Sequence, residues 1–203
     1  MKPFLVQHLL DLTSDKYPTK VAVKHAKDAI TFEQLHIKSS ALAYGLKKFG
    51  IGKGERVGIL LDKSIAQVIS MLGALRADFI FVLINSILKE SQIRHILNDC
   101  GIKLLIASEK YSVRLQNILK DTEVKIVVWE SELDGIADAY AGKRSPSVRT
   151  GEDIGSIIYT SGSTGLPKGI VITHRNLIEG ARIVSHYLCI TTAERVLGLL
   201  PFN

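Results

Sequence analysis

The amino-acid sequence predicts an α/β fold with mostly parallel sheets flanked by helices. Two observations lead to this prediction. Short apolar segments, many rich in branched residues, alternate with amphipathic segments of helical period through the middle of the chain. The short segments are apolar on both sides, which is typical of strands that helices cover on both faces of a parallel sheet. With 203 residues, of which 46% are hydrophobic, the chain can bury a sizeable core.

The N-terminal residues precede this alternating part. Leucines at helical spacing predict a short amphipathic helix over residues 4–14. Two short apolar runs, 21–25 and 29–31, flank a Lys-Asp pair and predict a small β-hairpin.

The second helix is predicted to begin at Thr31. Gln34 stands three residues later, which is the spacing of a capping box. Gly50 is placed to end the helix, because glycine readily adopts the left-handed conformation found at helix C-termini. The buried face of this helix is expected to consist of four apolar residues, namely Leu35, Leu42, Leu46 and Phe49.

The alternating part is predicted to contain four strands joined by three helices. The strands are expected at residues 56–61, 79–84, 103–107 and 124–129. The helices are expected at residues 64–77, 90–99 and 111–120. Three successive strand–helix–strand crossovers indicate a parallel sheet.

The alternation is interrupted by residues 131–152, which we predict to be a surface linker. This segment is polar, with an acidic start and a basic stretch that contains proline and glycine. On this interpretation, residues 1–130 form an N-terminal α/β subdomain. Residues 153–203 then begin a second α/β portion, which is incomplete.

The second portion is expected to contain three strands and one helix. The strands are predicted at residues 153–160, 169–173 and 195–200, and the last of them is expected to be buried. Thr173 is a suitable N-cap for a helix that runs to about residue 188.

The segment from Tyr159 to Gly169, YTSGSTGLPKG, has the composition of a nucleotide-phosphate clamp. Hydroxyl groups and exposed backbone N–H groups donate hydrogen bonds to phosphate oxygens, and glycine lets the backbone approach closely. Lys168 adds a positive charge. Two apolar segments enclose this loop, so it is expected to join two strands.

Two familiar phosphate loops do not fit this segment. In a Walker loop the lysine precedes Ser or Thr and opens a helix, whereas Lys168 precedes Gly169 and an apolar strand. A dinucleotide-binding loop has the pattern GxGxxG and also opens a helix, and Gly162 and Gly165 do not form that pattern. A hairpin tip without any ligand remains the plainest alternative.

The segment resembles the phosphate-binding motif of the adenylate-forming ligases, a superfamily of acyl-CoA synthetases, aryl-CoA ligases, peptide-synthetase adenylation domains and luciferases. The family pattern YTSG(S/T)TGxPKG is matched at every position. Four further segments are similar to that family, namely residues 75–77, 81–85, 96–100 and 173–177. The resemblance covers nearly the whole chain and corresponds to the N-terminal part of the family.

This resemblance implies an ATP site and a reaction. The residues that would contact ATP are Thr160, Ser161, Gly162, Ser163, Thr164, Gly165 and Lys168. In the implied reaction a carboxylate attacks the α-phosphorus of ATP, which gives an acyl-adenylate and Mg-pyrophosphate, and the acyl group passes to a thiol such as CoA. The resemblance assigns no catalytic residue and no protein-bound metal within this sequence. His174 is expected to be structural and Tyr159 to pack at the strand end.

The sequence departs from the family at three positions and in its length. Asp78 stands where the family commonly has glycine, and Leu83 and Ser86 stand where it has prolines. The family's adenine-binding segment, ribose-binding aspartate, magnesium-holding glutamate and late catalytic lysine have no counterpart here. We therefore expect a fragment that does not complete adenylation alone. A stand-alone nucleotide or pyrophosphate binder and one half of a split ligase remain open.

The turn at residues 84–89 resembles acyl-CoA ligases more than amino-acid-activating domains, although the latter remain an alternative. The net charge of +6 is spread over the sequence, and no basic block interleaved with aromatic residues predicts nucleic-acid binding. Only two cysteines, Cys100 and Cys189, are present and they are far apart, which favours a reducing cytoplasm. No segment is predicted to span a membrane.

Overall fold

The structure, a computed structural model, describes residues 4–144, 146–160 and 166–199. Within these ranges the elements are α1 (Val6–Lys16), β1 (Val21–His25), β2 (Asp28–Thr31), α2 (Phe32–Lys47), β3 (Arg56–Leu60), α3 (Ile65–Arg76), β4 (Ile80–Leu83), α4 (Glu90–Asp99), β5 (Leu104–Ala107), α5 (Ser112–Ile118), β6 (Ile126–Trp129), α6 (Glu132–Ala139), β7 (Ile154–Thr160), β8 (Lys168–Thr173) and α7 (His174–Tyr187).

Six of the strands form one sheet in the order β6-β5-β3-β4-β7-β8. All neighbours pair in parallel except β7 and β8, which form an antiparallel hairpin at one edge. Strands β1 and β2 form a separate antiparallel hairpin. The predicted α/β fold with a mostly parallel sheet is confirmed.

The sheet is covered on both faces, and successive strand residues enter different cores. In β5, Leu104 and Ile106 belong to a core shared with α2 and α3. Leu105 and Ala107 belong to a second core, shared with α4 and α5. This alternation follows from the two-residue period of a strand, and it explains why all of β5 is apolar.

Several local predictions are confirmed at residue level. The Thr31 hydroxyl accepts a hydrogen bond from the Gln34 backbone N–H at 3.2 Å, and the Gln34 side chain accepts one from the Thr31 N–H at 2.9 Å. Gly50 has φ of +75°. Phe49 was expected on the buried face of α2 but is 39% exposed, because the helix ends at Lys47 and Phe49 lies beyond its apolar face.

The expected surface linker, residues 131–152, contains helix α6. Leu133 and Ala137, which lie one helical turn apart, are buried there. The helix packs on α2 so closely that a Cβ added at Gly45 would lie 2.3 Å from Ile136 Cγ2. The sheet also continues across the segment, because β7 pairs with β4. The division into residues 1–130 and 153–203 stays a prediction.

The predicted buried strand at 195–200 is wrong for the residues that the structure describes. Residues 195–199 are not in a strand, and Val196, Leu197 and Leu199 are 77–79% exposed. An apolar sequence forms a strand only beside a partner strand, and no described strand pairs with this segment.

The described helices are also short. The longest, α2, has 16 residues, and none in the described ranges is long and apolar enough to cross a bilayer.

Candidate functional site

The candidate site lies on the β7–β8 hairpin. Strand β7 runs parallel to β4, so the loop that follows β7 leaves the sheet at the carboxyl edge of its parallel strands. Ligands of open α/β sheets bind outside this edge. The described ends of the motif, the last residues of β7 and the first residues of β8, lie at this edge.

Thr160 and Lys168 face each other across the hairpin as a register pair, at the end of the ladder next to the loop. Both are exposed. Among the described residues no carboxylate forms an ion pair with Lys168. The other five residues predicted to contact ATP lie outside the described residues, namely Ser161, Gly162, Ser163, Thr164 and Gly165.

Helix α4 supports the hairpin from one side. The Tyr159 hydroxyl donates a hydrogen bond to the Asp99 carboxylate and lies 3.2 Å from Cys100 Sγ. Burial, followed by the hydrogen bond to Asp99, raises the pKa of Tyr159, so its hydroxyl stays a donor. His95 Nε2 lies 3.0 Å from the carbonyl oxygen of Pro167.

Gly169 lets the two strands meet over the Tyr159 ring. A Cβ atom at Gly169 would lie 3.0 Å from Ile157 Cγ2 and 3.1 Å from Tyr159 Cζ, which is closer than side chains normally pack. A side chain at position 169 would therefore require the Ile157 or Tyr159 side chain to shift by a few tenths of an ångström. Tyr159 packs there as expected, but its hydroxyl bond to Asp99 was not foreseen.

Helix α7 follows β8 directly and is fixed at its first turn. Thr173 and Asn176 form a capping box, with both side-chain-to-backbone bonds at 3.1 Å. His174 is 1% exposed, and its Nδ1 accepts a hydrogen bond from the Val6 N–H at 3.3 Å. Burial, and next the nearby Arg149, lower the pKa of His174 to about 4. The ring is neutral at pH 7 and joins α7 to α1.

Asp78, where the family has glycine, keeps a backbone conformation that favours glycine, with φ of +65°. Its buried carboxylate accepts hydrogen bonds from the Ser147 hydroxyl and, at 3.4 Å, from the Val148 N–H. Arg149 donates to the Asp78 carbonyl at 2.7 Å and to the Asp153 carboxylate at 3.2 Å. These contacts anchor the segment that leads into β7.

His95 and Asp99 were missed by the sequence reasoning. Asp99 lies in one of the segments that resemble the family, which was a usable signal, but nothing in the sequence connects His95 with the loop. Over the ranges that the structure describes, no group of three or more His, Cys, Asp or Glu side chains could hold a metal ion.

A family comparison matches residues 10–203 to the family described as AMP-binding enzyme. Among curated relatives, zwittermicin A synthase ZmaJ of Bacillus cereus is 29% identical over 198 residues, which are 98% of this chain and 36% of that protein. The chain thus spans little more than a third of this relative's length.

Two solved structures are also similar to this chain in fold. The complex of VinN with 3-methylaspartate has a TM-score of 0.83 at 29% identity, over 92% of this chain and 52% of VinN. A long-chain-fatty-acid-CoA ligase, FadD1 from Archaeoglobus fulgidus, has a TM-score of 0.84 at 25% identity, over 94% of this chain and 41% of the ligase.

Proposed function

The chain belongs to the AMP-binding enzyme family, and we propose that it is the phosphate-binding part of an ATP-dependent ligase. Its relatives are adenylate-forming synthetases. In the proposed reaction a carboxylate attacks the α-phosphorus of ATP, forming an acyl-adenylate and releasing pyrophosphate. The acyl group then passes to a thiol such as that of CoA, and AMP leaves. Polypeptide outside this sequence would supply the remaining groups.

One observation carries this proposal. The YTSGSTGLPKG motif joins two strands at the carboxyl edge of a parallel sheet, and the two strand residues that border its loop, Thr160 and Lys168, form a register pair. A hydroxyl and an ammonium group at the mouth of a glycine-rich loop are suited to a polyphosphate. This arrangement supports a phosphate site better than a hairpin tip without a ligand.

The proposed roles follow from the chemistry of each group. Thr160, together with Ser161, Ser163 and Thr164, would donate hydrogen bonds to non-bridging phosphate oxygens. Gly162 and Gly165 would let the backbone approach the phosphates. Lys168 would neutralise charge on the β- and γ-phosphates, and this matters most as pyrophosphate leaves.

The metal and the second substrate also belong to the proposal. Mg²⁺ is typically bound through substrate phosphates with few protein ligands, so it is proposed to enter the site together with ATP. CoA is the proposed acceptor thiol. The cytoplasm is the proposed location, on the low cysteine content of the sequence.

The first test is the affinity for Mg·ATP, measured by equilibrium dialysis. Lys168→Ala is expected to weaken binding about tenfold or more, because a hydrogen bond to a charged group contributes roughly 1.5–3 kcal/mol. Lys24→Ala is the matched control, since Lys24 is an exposed lysine on β1. Urea unfolding of both variants should match the wild type. Equal ATP affinity with and without Lys168 would remove the loop from the nucleotide site.

A second candidate activates an amino acid instead of a fatty or aromatic acid. It is favoured by the similarity to VinN, whose structure holds 3-methylaspartate, whereas the similarity to FadD1 favours a long-chain fatty acid. ATP–pyrophosphate exchange with a panel of fatty, aromatic and amino acids separates the two. If none of these acids supports exchange and ATP binding still depends on Lys168, the chain would be a nucleotide-binding part or one half of a split ligase.

A further inference from the structure

Two contacts tie the phosphate loop to one helix, one at each end of the loop. Tyr159 immediately precedes Thr160, and its hydroxyl donates to Asp99 of α4. Pro167 immediately precedes Lys168, and its carbonyl oxygen lies 3.0 Å from His95 Nε2, also on α4. The residue that enters the loop and the residue that leaves it are thus both held by α4.

The contact at Pro167 fixes the backbone next to the lysine. A carbonyl oxygen only accepts hydrogen bonds, so His95 Nε2 carries the proton and donates it. Pro167 is buried, and its carbonyl would lose this partner if His95 were replaced by an apolar residue. A partly buried carbonyl that loses its partner is destabilised, so the chain before Lys168 would move to recover one.

The contact at Tyr159 completes a packed unit behind the hairpin. The rings of His95 and Tyr159 meet edge to face, with centroids 6.5 Å apart and an interplanar angle of 88°. Gly169 brings β8 against the same tyrosine ring. Helix α4, the Tyr159 ring and Gly169 therefore pack together at the base of the β7–β8 hairpin.

The geometry separates this support from the binding face. Side chains alternate between the two faces of a strand, and Tyr159 packs in the α4 core. Thr160 and its partner Lys168 accordingly project from the face opposite α4. The helix can hold the hairpin without obstructing the groups that meet a phosphate.

We propose that His95 and Asp99 are positioning residues of the phosphate site, which hold both ends of the loop so that Thr160 and Lys168 meet the polyphosphate. This inference rests on the proposed function of the loop. His95 acts through the Pro167 carbonyl, and Asp99 acts through the Tyr159 hydroxyl. Neither residue needs to touch the nucleotide.

Four variants and one combination test the inference by Mg·ATP affinity. His95→Leu removes the donor and should weaken binding about 5- to 10-fold, the effect of one ordinary hydrogen bond. His95→Gln offers an amide N–H and should restore the affinity to within about twofold. Tyr159→Phe removes only the hydroxyl and should weaken binding about threefold or more. His25→Leu, at an exposed histidine on β1, should change nothing.

The decisive readout is the double variant with Lys168→Ala. If His95 acts by positioning Lys168, adding His95→Leu to Lys168→Ala weakens ATP binding by much less than it weakens the wild type. An equal loss in both backgrounds overturns the inference, because it indicates a general structural effect. Full affinity in both His95→Leu and Tyr159→Phe overturns it as well.

Different results would refute the phosphate site and the positioning role. If Lys168→Ala weakens ATP binding and His95→Leu and Tyr159→Phe do not, the phosphate site stands and the positioning role is lost. If Lys168→Ala has no effect, the phosphate site itself is refuted. If His95→Leu lowers the urea midpoint, the affinity of Tyr159→Phe decides the matter, because that variant keeps the aromatic ring and loses only the hydroxyl.

Discussion

The central strands of the sheet and its β7–β8 edge are built in opposite ways. Every residue of β4 and β5 is buried, and each of these strands lies between two others. In β8 the first four residues are exposed, and this strand has a described neighbour on one side only. The described ends of the motif lie at this more exposed edge, while the fully buried apolar strands lie at the centre.

This difference separates stability from binding. Burial of apolar surface supplies most of the free energy of folding, so the centre should control unfolding. The edge hairpin contributes less apolar burial and can present polar groups to a ligand. Three predictions test how complete this separation is, in order of decreasing expected effect.

The same substitution should have very different effects in the two regions. Ile106→Ala, at a residue of β5 with 0% exposure, is expected to lower the free energy of unfolding by about 2–5 kcal/mol through lost burial and a cavity. Ile170→Ala, at a residue of β8 with 50% exposure, should cost less than about 1 kcal/mol. Urea denaturation measures both. Comparable losses would show that the edge is as tightly packed as the centre.

Asp78 tests the junction between the two regions. Asp78→Ala should lower the free energy of unfolding by about 2–4 kcal/mol, because it removes the buried acceptor of Ser147 and Val148 and keeps a strained φ. Asp78→Gly relaxes the backbone and should recover about 1 kcal/mol of that loss. Both values come from urea midpoints. A glycine variant more stable than the wild type would mean that the strained φ of Asp78 costs more than its carboxylate contributes to stability.

His174 should give the edge a pH dependence of its own. Its pKa is lowered to about 4 in the folded chain, against roughly 6.5 when unfolded. Above pH 6.5 His174 is neutral in both the folded and the unfolded chain, so it does not lower the free energy of unfolding. As the pH falls from 6.5 toward 4, the unfolded state takes up the proton first, and the free energy of unfolding decreases.

Between pH 7.5 and pH 5.5 this decrease should be on the order of 1 kcal/mol. His174→Asn is the matched variant, because its side-chain oxygen can accept the Val6 N–H without titrating. The loss between the two pH values should be smaller in His174→Asn by that amount. Equal losses in both proteins would assign the pH dependence to other groups.

The centre of the fold was largely predictable from sequence. Helix α4 was predicted with its observed bounds, and the Thr31 capping box was found in full, because both depend on residues close together in the chain. Helix α6 was missed because its buried residues, Leu133 and Ala137, are few and lie among acidic residues. They are buried only because α2 covers them, and a local pattern does not contain that information.

The residues of the candidate site were predictable from sequence, but the contacts that hold the ends of the loop were not. The motif from Tyr159 to Gly169 indicated a phosphate loop between two strands, and β7 and β8 lie on either side of it. The bond from His95 to Pro167 joins residues 72 positions apart in the sequence. Such pairs follow from the path of the whole sheet, so spacing alone could not have revealed them.

The close approach of Gly169 to Tyr159 bears on whether the motif could be transplanted. A peptide of these eleven residues would carry the hydroxyls and the lysine into another protein, but not the helix behind them. A shift of β8 by one position would turn Lys168 toward α4 and bring a side chain against the tyrosine ring. The smallest portable unit is therefore the hairpin together with α4, and grafts of the loop alone should lose the direction of the lysine.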